Sequence, residues 1–271
     1  MRPFFSFIKH GGFIKQCSLA FFVLLALAAC SSTPDAVKNV PVEEMYSEAK
    51  KKLDEKNYAE AVKQFESLQS RYPYGRYAQQ AQLEIAYANY KQSEPESAIA
   101  AADRFIKQYL NHPHVDYAYY VKGLANFNAD IGPLGLTFGQ DPTERDPQAA
   151  RDSFTAFKDL VTRFPASKYT PDSRSRMQYL VNALAKYEIH VATYYLRRGA
   201  PIAAVNRAKE VLTAYPNTPA TRDALLILVQ GYDALGMKAL RDDAQRVLDM
   251  NAPAGLAAAA PVVSTWPNPE K

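Results

Sequence analysis

The chain has 271 residues, 32 of them basic and 28 acidic, for a formal net charge of +4. Residues 1–29 hold three of the basic residues and no acid, so from residue 30 onward the balance is 29 basic against 28 acidic, or +1. That gives no reason to expect nucleic acid, whose binding calls for Lys and Arg clustered on one face. The two cysteines are Cys17 and Cys30, and a chain processed to begin at Cys30 keeps a single cysteine and has no pair for a structural disulfide.

At the N-terminus, Arg2, Lys9 and Lys15 precede an apolar run from Leu19 to Ala29, with no acid before Asp35. This is the pattern of a secretory signal, residues 1–29. A transmembrane helix is the other reading, but eleven apolar residues fall short of the roughly 20 needed to cross a bilayer. The sequence Leu27-Ala28-Ala29-Cys30 resembles the lipobox of bacterial lipoproteins. That resemblance implies cleavage before Cys30 and a covalent lipid on its thiol, with no other cofactor expected. Ser31, rather than an acid, follows the cysteine, which by the same resemblance implies sorting to the outer membrane. Residues 30–42 carry Ser31, Ser32, Pro34 and Pro41 without helical periodicity and read as a lipidated flexible tether. Acyl chains contribute about 0.8 kcal/mol per buried methylene, so three of them would anchor the chain durably.

From residue 43 to 250 the sequence is a succession of amphipathic helices. Tyr46, Ala49 and Leu53 recur at helical spacing, and after Asn57-Tyr58 so do Ala61, Phe65, Leu68 and Tyr72. The offsets 0, +4, +7 and +11 of this second set return in Ala98/Ala102/Phe105/Tyr109, Ser153/Phe157/Leu160/Phe164 and Ala204/Ala208/Val211/Tyr215. A fifth set, Leu240/Ala244/Val247, lacks the aromatic at Asn251, as a terminal repeat would. Pro73, Pro165 and Pro216 directly follow three of the sets and stop the helix. In the third repeat, Gly123 and Ser153 lie 30 residues apart, and the segment Ile131 to Gly139 between them is apolar and glycine-rich. It is no phosphate-binding loop, because no Gly-Lys-Ser/Thr follows it. Such a loop on a repeat protein more often covers a groove or meets a partner. Asp146-Pro147 reads as the cap of the next helix, and Thr170 to Gly199 as one helix of nearly thirty residues. After Met250, four prolines and six alanines in residues 251–271 give the expectation of a disordered tail.

Paired helices, small residues at their crossings and closing prolines resemble tetratricopeptide repeats, whose period is about 34 residues. An ordinary helical bundle is the alternative. The resemblance implies an all-α, right-handed solenoid of five helix pairs, about 43–73, 74–113, 114–166, 167–217 and 218–250. His112 and His114 in a Pro113 turn read as surface residues rather than metal ligands, and His190 reads as a packing histidine.

More specific still are Arg71-Tyr72-Pro73-Tyr74-Gly75-Arg76-Tyr77, Asp103-Arg104-Phe105-Ile106, His112 to Tyr117, Arg145-Asp146-Pro147, Leu184 to Glu188, and Arg198-Gly199-Ala200 with Val205-Asn206-Arg207. With these the chain resembles the BamD, or ComL-like, family of lipoproteins of the β-barrel assembly machinery. Leu110, where the family often has proline, and the long Ala/Pro tail depart from its pattern. The resemblance implies a non-enzymatic lipoprotein on the periplasmic face of the outer membrane. Its partners would be the barrel-forming subunit BamA, other lipoproteins of the complex and unfolded outer-membrane protein precursors. Partner-binding residues would be Arg207 and Arg198, although Arg207 also reads as a solvated charge. Substrate-binding residues would be Tyr72, Tyr74, Arg76 and Tyr77, with packing between repeats the plainer reading of Tyr72, Tyr87 and Tyr90. No Gly-x-Ser-x-Gly, His-Glu-x-x-His or zinc-spaced cysteine set supports an enzyme. A peptidoglycan-binding envelope lipoprotein is the alternative function.

Overall fold

A computed structural model of the protein describes residues 40–131, 143 and 146–251. The expected signal sequence, the expected lipidation site Cys30, most of the expected tether, the glycine-rich segment after Ile131 and the tail from residue 252 lie outside the described residues. Among the described residues there are ten helices and no strand. They form five antiparallel pairs: α1 (Val42–Asp54) with α2 (Tyr58–Arg71), α3 (Arg76–Lys91) with α4 (Pro95–Gln108), α5 (Val115–Ile131) with α6 (Gln148–Arg163), α7 (Thr170–Arg197) with α8 (Pro201–Ala214), and α9 (Ala220–Ala234) with α10 (Lys238–Met250). Each helix packs on the next in sequence, and α1 on α3, α3 on α5 and α7 on α9 pack as first helices of neighbouring repeats. The fold is an all-α repeat solenoid of helix pairs.

The offsets 0, +4 and +7 produce the core. Ala61, Phe65 and Leu68, then Ala98, Ala102 and Phe105, Ser153, Phe157 and Leu160, and Ala204, Ala208 and Val211 are all fully buried. In each case the second helix lies between its own first helix and the first helix of the following repeat, so these three slots are closed from both sides. The +11 residue ends the helix every time. Tyr72, Tyr109, Phe164 and Tyr215 are C-caps with φ near −130° (−127, −131, −128 and −130°), and each N–H donates to the carbonyl four residues back at 2.7–3.0 Å. Proline after three of them removes the donor and disfavours the α conformation of the residue before it.

The fifth set behaves differently from the expectation of three core slots. Ala244 is buried, but Leu240 is 45% exposed and Val247 37%, and Leu248 is buried instead. No repeat follows α10 among the described residues to close the other slots.

The turns inside the first, second, fourth and fifth repeats share one geometry. Lys56, Ser93, Gly199 and Gly236 have φ of 60, 62, 69 and 70°, each two residues before the second helix starts. In each turn the following N–H reaches back five residues, as in Asn57 to Lys52 (2.9 Å) and Ala200 to Tyr195 (3.0 Å). This is the left-handed closure that glycine adopts without steric cost and other residues only against it. In the third repeat a different constraint places a glycine. A Cβ on Gly123 would stand 2.4 Å from the Phe157 ring, and the Gly123 carbonyl accepts the Ser153 hydroxyl at 2.9 Å. Here the α5 backbone at Gly123 meets the Ser153 and Phe157 side chains of α6 directly. The next helix starts at Gln148 with Pro147 as N-cap; Asp146 Oδ1 accepts the Gln148 N–H at 3.0 Å, so the aspartate caps from one position upstream.

The two kinds of glycine have different costs. Gly199→Ala, with nothing within 4 Å of the added Cβ, meets only the backbone penalty and should destabilise by about 1 kcal/mol. Gly123→Ala must displace Phe157 and should destabilise by about 1–3 kcal/mol, the usual range for overpacking. Ser93→Gly should stabilise. Urea denaturation of the three variants checks all of these.

Candidate functional site

The first helices of the early repeats line a groove of about 650 Å³. Its floor is aromatic: Tyr87 and Tyr90 come from α3, Tyr117 and Tyr120 from α5, and Tyr169 from the turn before α7. Tyr120 and Tyr169 stack at 4.6 Å with their planes 19° apart, and Tyr117 meets Tyr169 at 5.4 Å. Lys50, Lys56, Lys91, Lys168 and His114 stand around it with two acids, Asp54 and Glu84. Glu84 Oε1 accepts hydrogen bonds from the Tyr46 hydroxyl at 3.2 Å, Lys50 Nζ at 3.3 Å and Gln80 Nε2 at 3.3 Å, so much of its charge is balanced from within. The groove keeps an excess of lysines.

Burial first, and the Glu84 carboxylate second, push the Tyr46 and Tyr117 hydroxyls above their ordinary range. Burial does the same to Tyr120, whose hydroxyl donates to Asp172 at 2.8 Å; Asp172 in turn pairs with the buried Arg176 at 2.6 Å. These tyrosines therefore remain neutral hydrogen-bonding groups at any physiological pH. Aromatic faces, hydroxyls and cations along an open groove suit an extended peptide bearing aromatic side chains and a carboxylate.

A second feature lies between α6, α7 and α8. Glu188 on α7 has a side chain only 4% exposed, and its Oε2 accepts from Arg207 Nη1 of α8 at 2.9 Å. Arg151 of α6 approaches its other oxygen at 3.7 Å. One buried carboxylate thus ties three helices with two arginines whose outer parts remain in solvent. The hydrogen bond to Glu188 raises the affinity of the Arg207 guanidinium for its proton.

Residues 38–247 match the family described as YfiO, outer membrane lipoprotein. The chain belongs to that family. The relatives it resembles include outer membrane protein assembly factor BamD of Neisseria gonorrhoeae, 44% identical over 89% of this chain and 92% of that protein. The proteins of the same name from Xylella fastidiosa (strain Temecula1 / ATCC 700964) and Vibrio cholerae serotype O1 are 39% identical over 87% of this chain and 80% of theirs, and 37% identical over 87% and 98%. Among the described residues no helix is long and apolar enough to cross a membrane. The site residues expected from sequence are distributed as follows in this member of the outer-membrane lipoprotein family. Tyr72 caps α2, half-buried. Tyr74 is 90% exposed in the turn before α3. Arg76 lies 4.7 Å over the Tyr77 ring and donates to its hydroxyl at 3.0 Å, while Tyr77 packs at 5.4 Å on Tyr46. None of these four lines the groove, whereas Tyr87 and Tyr90 do. Arg198, exposed, is the C-cap of α7. Arg207 is neither a simple solvated charge nor a free one, because it holds Glu188.

The histidine turn is a structural unit. His112 Nδ1 accepts the His114 N–H at 3.1 Å, and its ring sits edge-on to the fully buried Phe105 at 5.1 Å. His190 is half-buried on α7.

Two outcomes follow. Arg207→Leu leaves a buried carboxylate with only the longer Arg151 contact, so it should destabilise by about 1–3 kcal/mol, and adding Glu188→Gln should recover part of that loss. Thermal denaturation of the single and double variants measures it. Partial burial, then the charge of His114, holds His112 below its ordinary range. Its folded value lies below its unfolded one, so its contribution is complete above the unfolded value of about pH 6.5 and is lost as pH falls from there through the lower, folded value. Melting temperatures should decline on that acid limb, and His112→Gln should flatten the decline.

Proposed function

We propose that this chain is a lipid-anchored, non-enzymatic component of the machinery that assembles β-barrel proteins in the outer membrane. The observation that carries the reading is the match over residues 38–247 to an outer membrane lipoprotein family, together with relatives at 37–44% identity named outer membrane protein assembly factor. Cys30 would carry the lipid, holding the repeats at the periplasmic face of the membrane. The repeats act by binding. The groove along α1, α3 and α5 receives the extended, aromatic-bearing end of an unfolded barrel precursor, and its lysines meet the terminal carboxylate. The C-terminal repeats dock the barrel-forming subunit BamA and neighbouring lipoproteins. Arg198 and the outward part of Arg207 lie on that surface. Peptidoglycan binding is less well supported, since the relatives are named for protein assembly.

A photo-crosslinker at Lys91, which lines the groove, should capture a peptide ending in a barrel-type aromatic strand. The same group at Tyr74, outside the groove, should capture it poorly, and removal of the terminal aromatic should abolish capture at Lys91. Equal capture at both positions, or indifference to trimming, contradicts the assignment.

A further inference from the structure

The two ends of each helix pair lie on opposite edges of the solenoid. Turns between repeats collect on one edge, with the start of every first helix and the end of every second, and turns inside repeats collect on the other. Contacts run along the first edge from one turn to the next: Tyr77 at the start of α3 packs on Tyr46 at 5.4 Å, and the Ser167 hydroxyl donates to Asp116 at 2.6 Å. The two edges differ in charge. Across the first three turns between repeats, residues 68–79, 105–118 and 160–173 hold five basic side chains, Arg71, Arg76, Lys107, Arg163 and Lys168, against two acids. Both acids are already engaged, Asp116 by Ser167 and Asp172 by Tyr120 and Arg176. The turns inside the first two repeats, residues 51–61 and 88–98, hold four lysines against five acids. On the first edge α1 opens with Glu43 and Glu44, and the fourth turn between repeats balances Arg222 with Asp223, so the excess belongs to the three turns between them.

Apolar side chains project between these cations. Tyr74, 90% exposed, stands at the first turn and Leu110, 61% exposed, at the second, each just past the +11 residue that has already closed the helix. Three of the cations lie on tyrosine rings, Arg76 on Tyr77 at 4.7 Å, Lys168 on Tyr169 at 5.0 Å and Arg163 on Tyr119 at 5.6 Å. A cation held this way keeps outer N–H donors for an anion while the ring supplies an amphipathic face. Cations with tyrosine and leucine at one level suit the boundary between lipid headgroups and acyl chains, whereas an acidic ligand in water gives no reason for a bare leucine. The chain enters α1 at Val42 on this same edge, and Val42 is twelve residues after Cys30, a reach of at most about 40 Å. A lipid on Cys30 would keep the solenoid within that distance of the bilayer and tether it from this edge. The inference rests on that anchor for the nearness of the membrane and goes beyond it in naming the surface that meets it. We propose that the edge formed by the first three turns between repeats lies on anionic phospholipid, with the five cations on headgroup phosphates and Tyr74 and Leu110 at the headgroup level. Lys168 and His114 belong both to this edge and to the groove, so a chain seated in this way holds a bound precursor at the membrane surface.

The test uses the full lipidated chain with an environment-sensitive fluorophore on Leu110→Cys, and on Ser93→Cys of the opposite edge for comparison; the parent chain treated with the same label is the blank. Vesicles are phosphatidylcholine alone or phosphatidylcholine mixed with phosphatidylglycerol. With the anionic vesicles the Leu110 probe should shift to the blue and its quenching by acrylamide should fall several-fold, while the Ser93 probe stays as in neutral vesicles. Raised salt, or Arg76→Glu with Lys107→Glu, should return the Leu110 probe to its neutral-vesicle values with the helical circular dichroism of the parent; the salt arm makes the test without any charge substitution. A chain that floats with the anionic vesicles while its Leu110 probe responds no more than the Ser93 probe overturns the proposal and leaves the edge to an acidic protein. A response equally strong in neutral vesicles, or one that survives salt and charge reversal, overturns it in favour of an apolar contact. Flotation reads the anchor separately. A chain that floats only with anionic vesicles, with the Leu110 response, refutes the lipid on Cys30 and upholds the edge, and one that floats with neither refutes both.

Discussion

Everything in this molecule rests on one repeated packing arrangement, in which three side chains at offsets 0, +4 and +7 of a second helix are closed off by the first helix of the following repeat. A helix pair alone cannot bury Phe65 and Leu68, or Phe157 and Leu160, because one side of the second helix would face water. Burying a side chain of that size is worth about 1.5–3 kcal/mol, so each repeat draws its stability from its neighbour. The same arrangement brings α1, α3 and α5 side by side, and a groove between first helices is the consequence.

Two sites of quite different character result. The groove combines aromatic faces with four lysines against two acids, and the Glu84 carboxylate is held by three donors of its own wall. Such a surface can exchange ligands of varied sequence, since stacking and backbone-type hydrogen bonds do not demand one side-chain order. The Glu188 site is the reverse. Removing a carboxylate from water is costly unless it is paired, and Arg207 and Arg151 pair it while remaining partly in solvent. Arg207 thus joins the internal packing of α7 on α8 to an exposed surface, and a substitution there disturbs both.

The helix pairs were legible because the spacing of small and aromatic residues is local, and a stripe such as Ala204/Ala208/Val211/Tyr215 appears within twelve residues of sequence. Less of the site could be read. Tyr72, Tyr74, Arg76 and Tyr77 stand out because they are adjacent in sequence, but a groove across several helices gathers residues by face: Tyr87 and Tyr90 join Tyr117, Tyr120 and Tyr169 from the next repeat and the turn beyond it. The Arg207–Glu188 pair spans nineteen residues and two helices, and no local pattern marks it. The left-handed turns at Lys56 and Ser93 carry no glycine, and only their alignment with Gly199 and Gly236, two residues before a helix start, betrays them. The fifth stripe kept its letters and lost its burial at Leu240 and Val247, because burial depends on the neighbour and not on the helix alone.

The central claim is that the first helices of the early repeats receive an unfolded polypeptide. Hydrogen–deuterium exchange of the chain, alone and with an unfolded β-barrel precursor, tests it most directly. Slowed exchange along α1, α3 and α5 and at the turn around Tyr169, with the outer faces of α2 and α4 unchanged, is the predicted result. Protection confined to α8–α10, or none at all under conditions where the precursor is bound, would contradict it.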